Sequence, residues 1–315
     1  MPVSTIGDNN VAKRVEAEIH RRGADVRGAS FRILLFSALA LSTIILLILL
    51  VQVVTDGWPV IADRFGEFMG GTLRSRSTDD KLGISQGLVG SFWIAVMVAV
   101  LAFPIGIAAA VYLEEYAPRN RLTSIIDIAI RNLAGVPSVV YGLLGLFLFV
   151  TPRDGQSALF AGGVTLAILV LPIVVITAAE AVRAVPSSLR EGAYGVGATK
   201  WDTIRTQVLP FAAPGILTGT LLSLARAIGE AAPLILVGAI TGRLAPRDGS
   251  FFGLDQFADR FTAMPIVITE FASKPGDDWV PVTAAAIVVL LLVVLSFNAA
   301  AVLLRNRFES KRAGH

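Results

Sequence analysis

Five stretches of this chain run for 21 to 32 residues without one Asp, Glu, Lys or Arg: 33–55, 82–113, 132–152, 155–179 and 280–304. A hydrocarbon layer about 30 Å thick is crossed by roughly 20 helical residues, each rising about 1.5 Å. Each stretch is therefore long enough to cross a membrane. A sixth, 206–242, is interrupted only by Arg226 and Glu230. Composition agrees: 54% of the residues are hydrophobic and 16% charged, where an ordinary soluble domain carries about 25% charged residues. Barrel strands would alternate over about ten residues, but "LALSTIILLILLVQVV" (39–54) is apolar all round. The expected fold is an all-α polytopic membrane protein with six transmembrane helices. Residues 33–55 are expected to remain as an anchor, because the apolar run is longer than a signal core and no small-residue cleavage site closes it.

Lys and Arg placement sets the orientation. With the N-terminus inside and six alternating spans, the inside segments 1–32, 114–131, 180–205 and 305–315 hold 17 Lys/Arg, and the outside segments hold 9. That excess places both termini in the cytoplasm. The expected organisation is a basic N-terminal tail (1–32), a six-helix permease-like domain (33–304) and a basic C-terminal tail (305–315). The net charge of +3 then reflects topology and gives no argument for nucleic acid. The tail "KRVEAEIHRRGADVR" reads as solvated or lipid-facing.

Enzyme chemistry is poorly supplied. Cysteine is absent, which removes disulfides, thiolate metal sites and a Cys nucleophile. The two histidines, His20 and His315, lie in the tails. No catalytic residue, metal site or cofactor is expected.

The most unusual polar stretch is "REGAYGVGATKWDTIRTQVLP" (190–210). Its glycines and Lys200 invite comparison with a phosphate-binding loop. That loop needs G-x-x-x-x-G-K-[ST] after a strand. Here Trp201 follows Lys200, no Gly precedes it, and "AVPSSLRE" is not a strand. The local signals describe two short helices. Ser188 to Glu191 has the capping-box pattern after Pro186, Gly195 and Gly197 interrupt the helix, and Thr199 to Asp202 can cap a second. The segment is either a functional cytoplasmic helix–turn–helix or an ordinary amphipathic surface loop.

This stretch resembles the coupling loop of ABC-importer permeases: E-A-A, three residues, Gly, nine residues, Ile, any residue, Leu-Pro. Glu191, Ala193, Gly197, Leu209 and Pro210 fit; Gly192 replaces an Ala and Gln207 an Ile. "FPIGIAAAVYLEEYAP" (103–118), "NLAGVPSVVYGLLGLF" (132–147), "RAVPSSLREGAYGVGATKWDTI" (183–204) and "LARAIGEAAPLILVGA" (224–239) resemble the phosphate-specific permeases, the last more the PstA type than the PstC type. The resemblance covers roughly residues 85–305. It implies the type I importer permease fold in a bacterial plasma membrane, with a coupling loop over 187–210 that docks on a separate ATPase. It implies a PstC-like second permease, a PstB-like ATPase dimer, a PstS-like external phosphate-binding protein and a PhoU-type regulator as partners. Permeases for sulfate, molybdate or phosphonate share the loop, so another oxyanion is an alternative, as is a non-transporting membrane scaffold or sensor. An ion-coupled carrier would be expected to show inverted repeats, and no convincing repeat is visible.

Within the spans, Arg226 is 16 residues past Pro210, about 24 Å along a helix. An arginine at mid-membrane costs about 2.5–3.5 kcal/mol on insertion scales and marks a functional candidate. Glu230 is four residues on and can share its face. Either Arg226 faces a substrate pathway, where a guanidinium suits phosphate oxygens, or the two form a neutralised packing pair. Arg183, which matches a family arginine, is a second pathway candidate. Glu191 is expected to cap its helix and to offer a salt-bridge partner to the ATPase. Gly215 and Gly219 form G-x-x-x-G, a close-packing pattern, with Gly142 and Gly145 similar; membrane helices are also simply Gly-rich. Pro137, Pro172 and Pro233 would free carbonyls inside a span, and "AGVPS" (134–138) is expected to give the third span an irregular entry.

Overall fold

The computed structural model describes residues 26–153, 158–239 and 260–313. The N-terminal tail through 25, His20, His315 and the expected end of the fifth span at Gly242 lie outside the described residues. Eleven α-helices are described, and no strand is, beyond an isolated bridge between Thr72 and Leu82. They are α1 (Val26–Gly70), α2 (Ser85–Val111), α3 (Arg121–Ala134), α4 (Ser138–Gly145), α5 (Leu159–Arg183), α6 (Ser187–Gly195), α7 (Lys200–Thr203), α8 (Leu209–Gly229), α9 (Ala232–Leu236), α10 (Met264–Ser273) and α11 (Trp279–Ala313).

The chain divides into two compact units, Met1–Gln52 and Val53–His315. In the first, the described stretch exposes its Ile, Leu and Phe side chains around the whole helix from Phe31 to Leu50. Such a helix is stable only in an apolar solvent. α1 does not stop at Thr55 as the sequence suggested; it stays helical to Gly70, with a kink at Arg64 (φ −141, ψ 32). Arg64 donates to the carbonyls of Ser77 and Asp79 at 3.2 and 3.3 Å, so the kinked arginine ties down the following loop.

Among the described residues, five helical segments are long and apolar enough to cross a membrane: Gly28–Gly70, Ser85–Tyr116, Leu159–Arg183, Lys200–Gly229 and Trp279–Arg307. The expected third span, 132–152, is not one straight helix. α3 and the stretch Ser138–Val150 meet at 96°. Pro137 explains the break: it has no N–H to continue the ladder and pushes Val136 out of helical geometry. The fourth span is shifted to 159–183, so Glu180 and Arg183 belong to its last turn.

The expected fifth span, 206–242, ends early. α8 stops at Gly229, and Glu230 is extended (φ −82, ψ 118). A continuing helix would set the Pro233 ring against the carbonyl of Gly229. Pro233 instead opens the short α9.

Three π-helical turns, Tyr112–Tyr116, Leu146–Val150 and Ile204–Val208, share one design. Each is closed by the next residue's N–H (Ala117, Thr151, Leu209) bonding five residues back. In each, the residue after that is a proline: Pro118, Pro152 or Pro210. Where the chain stays helical, at Thr151 and Leu209, the proline ring crowds the carbonyl four residues back and widens the preceding turn; Ala117 is extended, and the first π turn simply ends its helix.

The core falls into three clusters. One, at the end of Val53–His315 that carries α10, packs Phe68, Leu73, Leu82, Phe271 and Trp279. A central one joins α2, α4, α5, α8 and α9 through residues such as Val98, Leu166, Val170 and Leu234. The third, around Val182, Val185, Val208 and Ala212, supports the segment 187–210. Helices approach where side chains are absent. A Cβ on Gly215 would come within 2.8 Å of Ala181 Cβ, and one on Gly219 within 2.6 Å of Thr177 Cβ.

Candidate functional site

The segment 187–210 is two short helices and a turn. α6 starts after Pro186, whose φ −58 and ψ 139 make it the cap residue, and no side chain caps that end. The capping box expected at Ser188 and Glu191 is therefore not formed: the cap is Pro186, two residues before Ser188, and both residues fall inside the helix. Glu191 and Gly192 are exposed and Ala193 half-buried.

The spacing of Ala193 and Gly197 has a physical reason. Gly197 N donates to Tyr194 O at 2.9 Å and Ala198 N to Ala193 O at 3.0 Å. This is a Schellman closure with Gly197 in the left-handed position, at φ +86. The second helix is capped as the sequence suggested: Thr199 Oγ1 accepts from Asp202 N at 3.2 Å. The π turn Ile204–Val208 then delivers the chain into α8, with Ile204 and Val208 buried, Leu209 against the core and Pro210 exposed on its first turn.

This segment is clasped to the end of α2, an arrangement that the sequence reading missed. Arg190 donates from Nε and Nη2 to Glu115 Oε1 at 3.1 and 2.7 Å. The same guanidinium donates to Val185 O at 2.6 Å and Val182 O at 3.0 Å. Glu115 is nearly buried, its side chain 7% exposed. Next to it, Glu114 receives Arg183 in a paired contact, one bond being Arg183 Nε to Glu114 Oε2 at 3.2 Å. Lys200 Nζ stands 5.0 Å from the Tyr116 ring centre, within cation–π range. Arg183 thus has its charge compensated, and it lines a cleft of about 260 Å³ with Glu114, Arg119, Asn120, Thr123 and Asp127. The only visible sequence signal was the doublet Glu114-Glu115 directly after a charge-free run.

Arg226 and Glu230 occupy the break at the end of α8. Arg226 Nε lies 3.5 Å from Glu230 Oε1, so the pair forms even though Glu230 has left the helix. Depth follows from packing. Gly215 faces Ala181 and Gly219 faces Thr177, an antiparallel register that carries Arg226 level with Val170. The midpoint of α5 (Leu159–Arg183) is one residue away. In the last two turns of α8, residues 223–225, 227 and 228 are buried, and Leu222, Arg226 and Gly229 form the exposed stripe. A helix end and extended backbone at mid-depth are stable only beside protein or a water-lined cavity. α9 supplies part of that support, since a Cβ on Gly142 would come within 2.8 Å of Pro233 Cα. Among the described residues no group of His, Cys, Asp or Glu is arranged to hold a metal ion.

Residues 102–310 match the family described as "Binding-protein-dependent transport system inner membrane component". A relative from Mycobacterium tuberculosis, "Phosphate transport system permease protein PstA 1", is 37% identical over 225 residues, covering 71% of this chain and 70% of that protein. "Phosphate transport system permease protein PstA" from Xylella fastidiosa is 32% identical, covering 72% and 77%. Among solved structures, a chain of the MetNI methionine ABC transporter in an inward-facing conformation shares the fold with a TM-score of 0.57 at 19% identity, covering 71% of this chain and 95% of that one.

Proposed function

We propose that this chain, which belongs to the binding-protein-dependent transport system inner membrane components, is the PstA-type permease subunit of an ATP-driven inorganic phosphate importer. Membership makes it an ABC-importer permease subunit and a multi-pass protein of the inner membrane. The observation that carries the further step is the pairing of two features in one chain: the Schellman-closed segment 187–210, and an arginine at mid-depth beside a broken helix. The relatives' names support phosphate as the substrate.

In this reading six spans place both termini in the cytoplasm, with α3 and Ser138–Val150 together forming the third. The segment 187–210 docks on a PstB-like ATPase through the exposed face that carries Glu191, Gly192 and Gly197. A PstC-like permease covers the stripe of Leu222, Arg226 and Gly229, and phosphate crosses between the two chains. A PstS-like protein delivers phosphate outside, and a PhoU-type regulator binds inside. Arg226 contributes N–H donors that replace part of the anion's lost hydration. Glu230 competes for that guanidinium and keeps the anion from being trapped. Arg183, paired with Glu114, acts at the cytoplasmic end.

The test is phosphate uptake by vesicles carrying the four-component complex, with and without this chain, against sulfate, molybdate and phosphonate. ATP-dependent phosphate uptake that requires the chain is expected. Uptake of another oxyanion in its place overturns the substrate; no ATP-dependent uptake of any of them overturns the transport reading.

A further inference from the structure

We propose that the Glu115–Arg190 ion pair is a mechanical joint that passes movement of the segment 187–210 into α2. The inference rests on the docking reading above.

The segment 187–210 has two covalent outlets, residues 184–186 back to α5 and the π turn Ile204–Val208 into α8. The structure gives it a third, non-covalent one, and this one leads to α2. Arg190 stands on α6, and Glu115 sits in the π turn that prolongs α2. They are 75 residues apart in sequence. The bond has two N–H donors on one carboxylate oxygen, and the arginine's remaining bonds fix it to the end of α5 through Val182 O and Val185 O. Lys200, at the start of α7, meets the neighbouring Tyr116 ring. Both short helices therefore grip the same five residues, Tyr112–Tyr116, and Glu114 ties those residues to Arg183 on α5.

A pair this sheltered resists separation, because pulling it apart leaves a carboxylate with little water in reach. Displacement of α6 is then carried by Glu115 rather than lost in a sliding contact. The π turn makes the last part of α2 the compliant link, since its bonds are wider and weaker than an α-helix's. Beyond it α2, a 27-residue helix with Pro104 inside it, packs along α5 and also touches α8. Gly106 lets it sit directly on Val174, where a Cβ would come within 2.6 Å. Glu115 and Arg190 are positioning residues; neither is required to touch the substrate.

The experiment uses the assembled transporter in nanodiscs and reads hydrogen–deuterium exchange with the ATPase empty and nucleotide-trapped. In the wild type, nucleotide is expected to change exchange in both 187–210 and 107–117. Glu115→Gln keeps the change in 187–210 and loses it in 107–117, while uptake per ATP hydrolysed falls by about ten-fold, within the usual range of coupling between sites. Glu115→Asp, which keeps a carboxylate for Arg190, retains both readouts. A change that still reaches 107–117 in Glu115→Gln overturns the joint, as does a wild type that responds in 187–210 only. A wild type with no response in 187–210 overturns the docking reading itself. If Glu115→Gln does not assemble, Arg190→Gln is read in its place, and a change that still reaches 107–117 there overturns the joint.

Discussion

Gly142 on α4 lies directly under Pro233 on α9: a Cβ there would come within 2.8 Å of Pro233 Cα and of Leu236 Cδ1. The Pro233 contact is with backbone, so no rotamer change can relieve it. It supports the chain where α8 has ended and Glu230 is extended. Overpacking of this kind costs about 1–3 kcal/mol. Gly142→Leu is expected to lower the thermal stability of the purified complex and its yield, whereas Gly66→Ala, inside α1 with open space around it, lowers neither. Equal stability of the two variants would show that α4 and α9 are not held together here.

At Gly197 the constraint is torsional. No atom lies within 4 Å of a Cβ built there, but φ is +86. Asn tolerates the left-handed region and β-branched residues do not. Gly197→Asn is expected to keep ATPase attachment, and Gly197→Val or Gly197→Trp to lose it with membrane insertion intact. Co-purification of the ATPase reads this directly. Gly192→Ala, inside α6 and also with open space, firms the helix by about 0.5–1 kcal/mol and leaves transport intact.

The topology has its own test. From the 17-to-9 distribution of Lys and Arg, the segment around Asp79 is expected outside and the C-terminus inside. A reporter fused after His315 is expected to behave as cytoplasmic, and one inserted beside Asp79 as external. Reversal at either position removes the six-span arrangement.

The sequence showed the spans because lipid demands length and an absence of charge, and both are local properties. It also showed the cap at Thr199 and the break at Pro137, since each acts within a few residues. Gly229–Pro233 was equally local, and the ring-against-carbonyl rule would have ended the fifth span there. The π turns Leu146–Val150 and Ile204–Val208 have a local cause too, the prolines two residues past them, but helical prolines elsewhere, such as Pro104 and Pro172, have no such turn before them. What was not legible is the grip on Glu114 and Glu115. Their arginines lie 69 and 75 residues away, and no periodicity links an ion pair across three helices. Arg183 was for this reason read only as a pathway charge, although in the structure it has a carboxylate of its own.

Arg226 carries the most specific prediction. The residue sits level with the middle of α5, on the exposed stripe of α8, with 60% of its side chain uncovered and Glu230 at 3.5 Å. A purely structural pair would be expected to turn inward, where the low dielectric strengthens it and neighbours hold both partners. Here the guanidinium instead faces outward at a depth where lipid is a poor partner for it, so a second permease or an anion path is expected to cover it in the assembled transporter. A hydrogen bond to a charged group is worth about 1.5–3 kcal/mol. Arg226→Gln is therefore expected to assemble normally while phosphate uptake falls by roughly ten- to a hundred-fold. Arg226→Lys keeps the charge but loses the planar donor fork, and should fall between the two. Glu230→Gln is expected to change transport without loss of expression, with tighter retention of phosphate, because the guanidinium is then left without its competitor. Uptake has to be normalised to assembled complex. Normal uptake by Arg226→Gln removes the pathway role, and loss of assembly in both variants with unchanged transport per complex assigns the pair to packing.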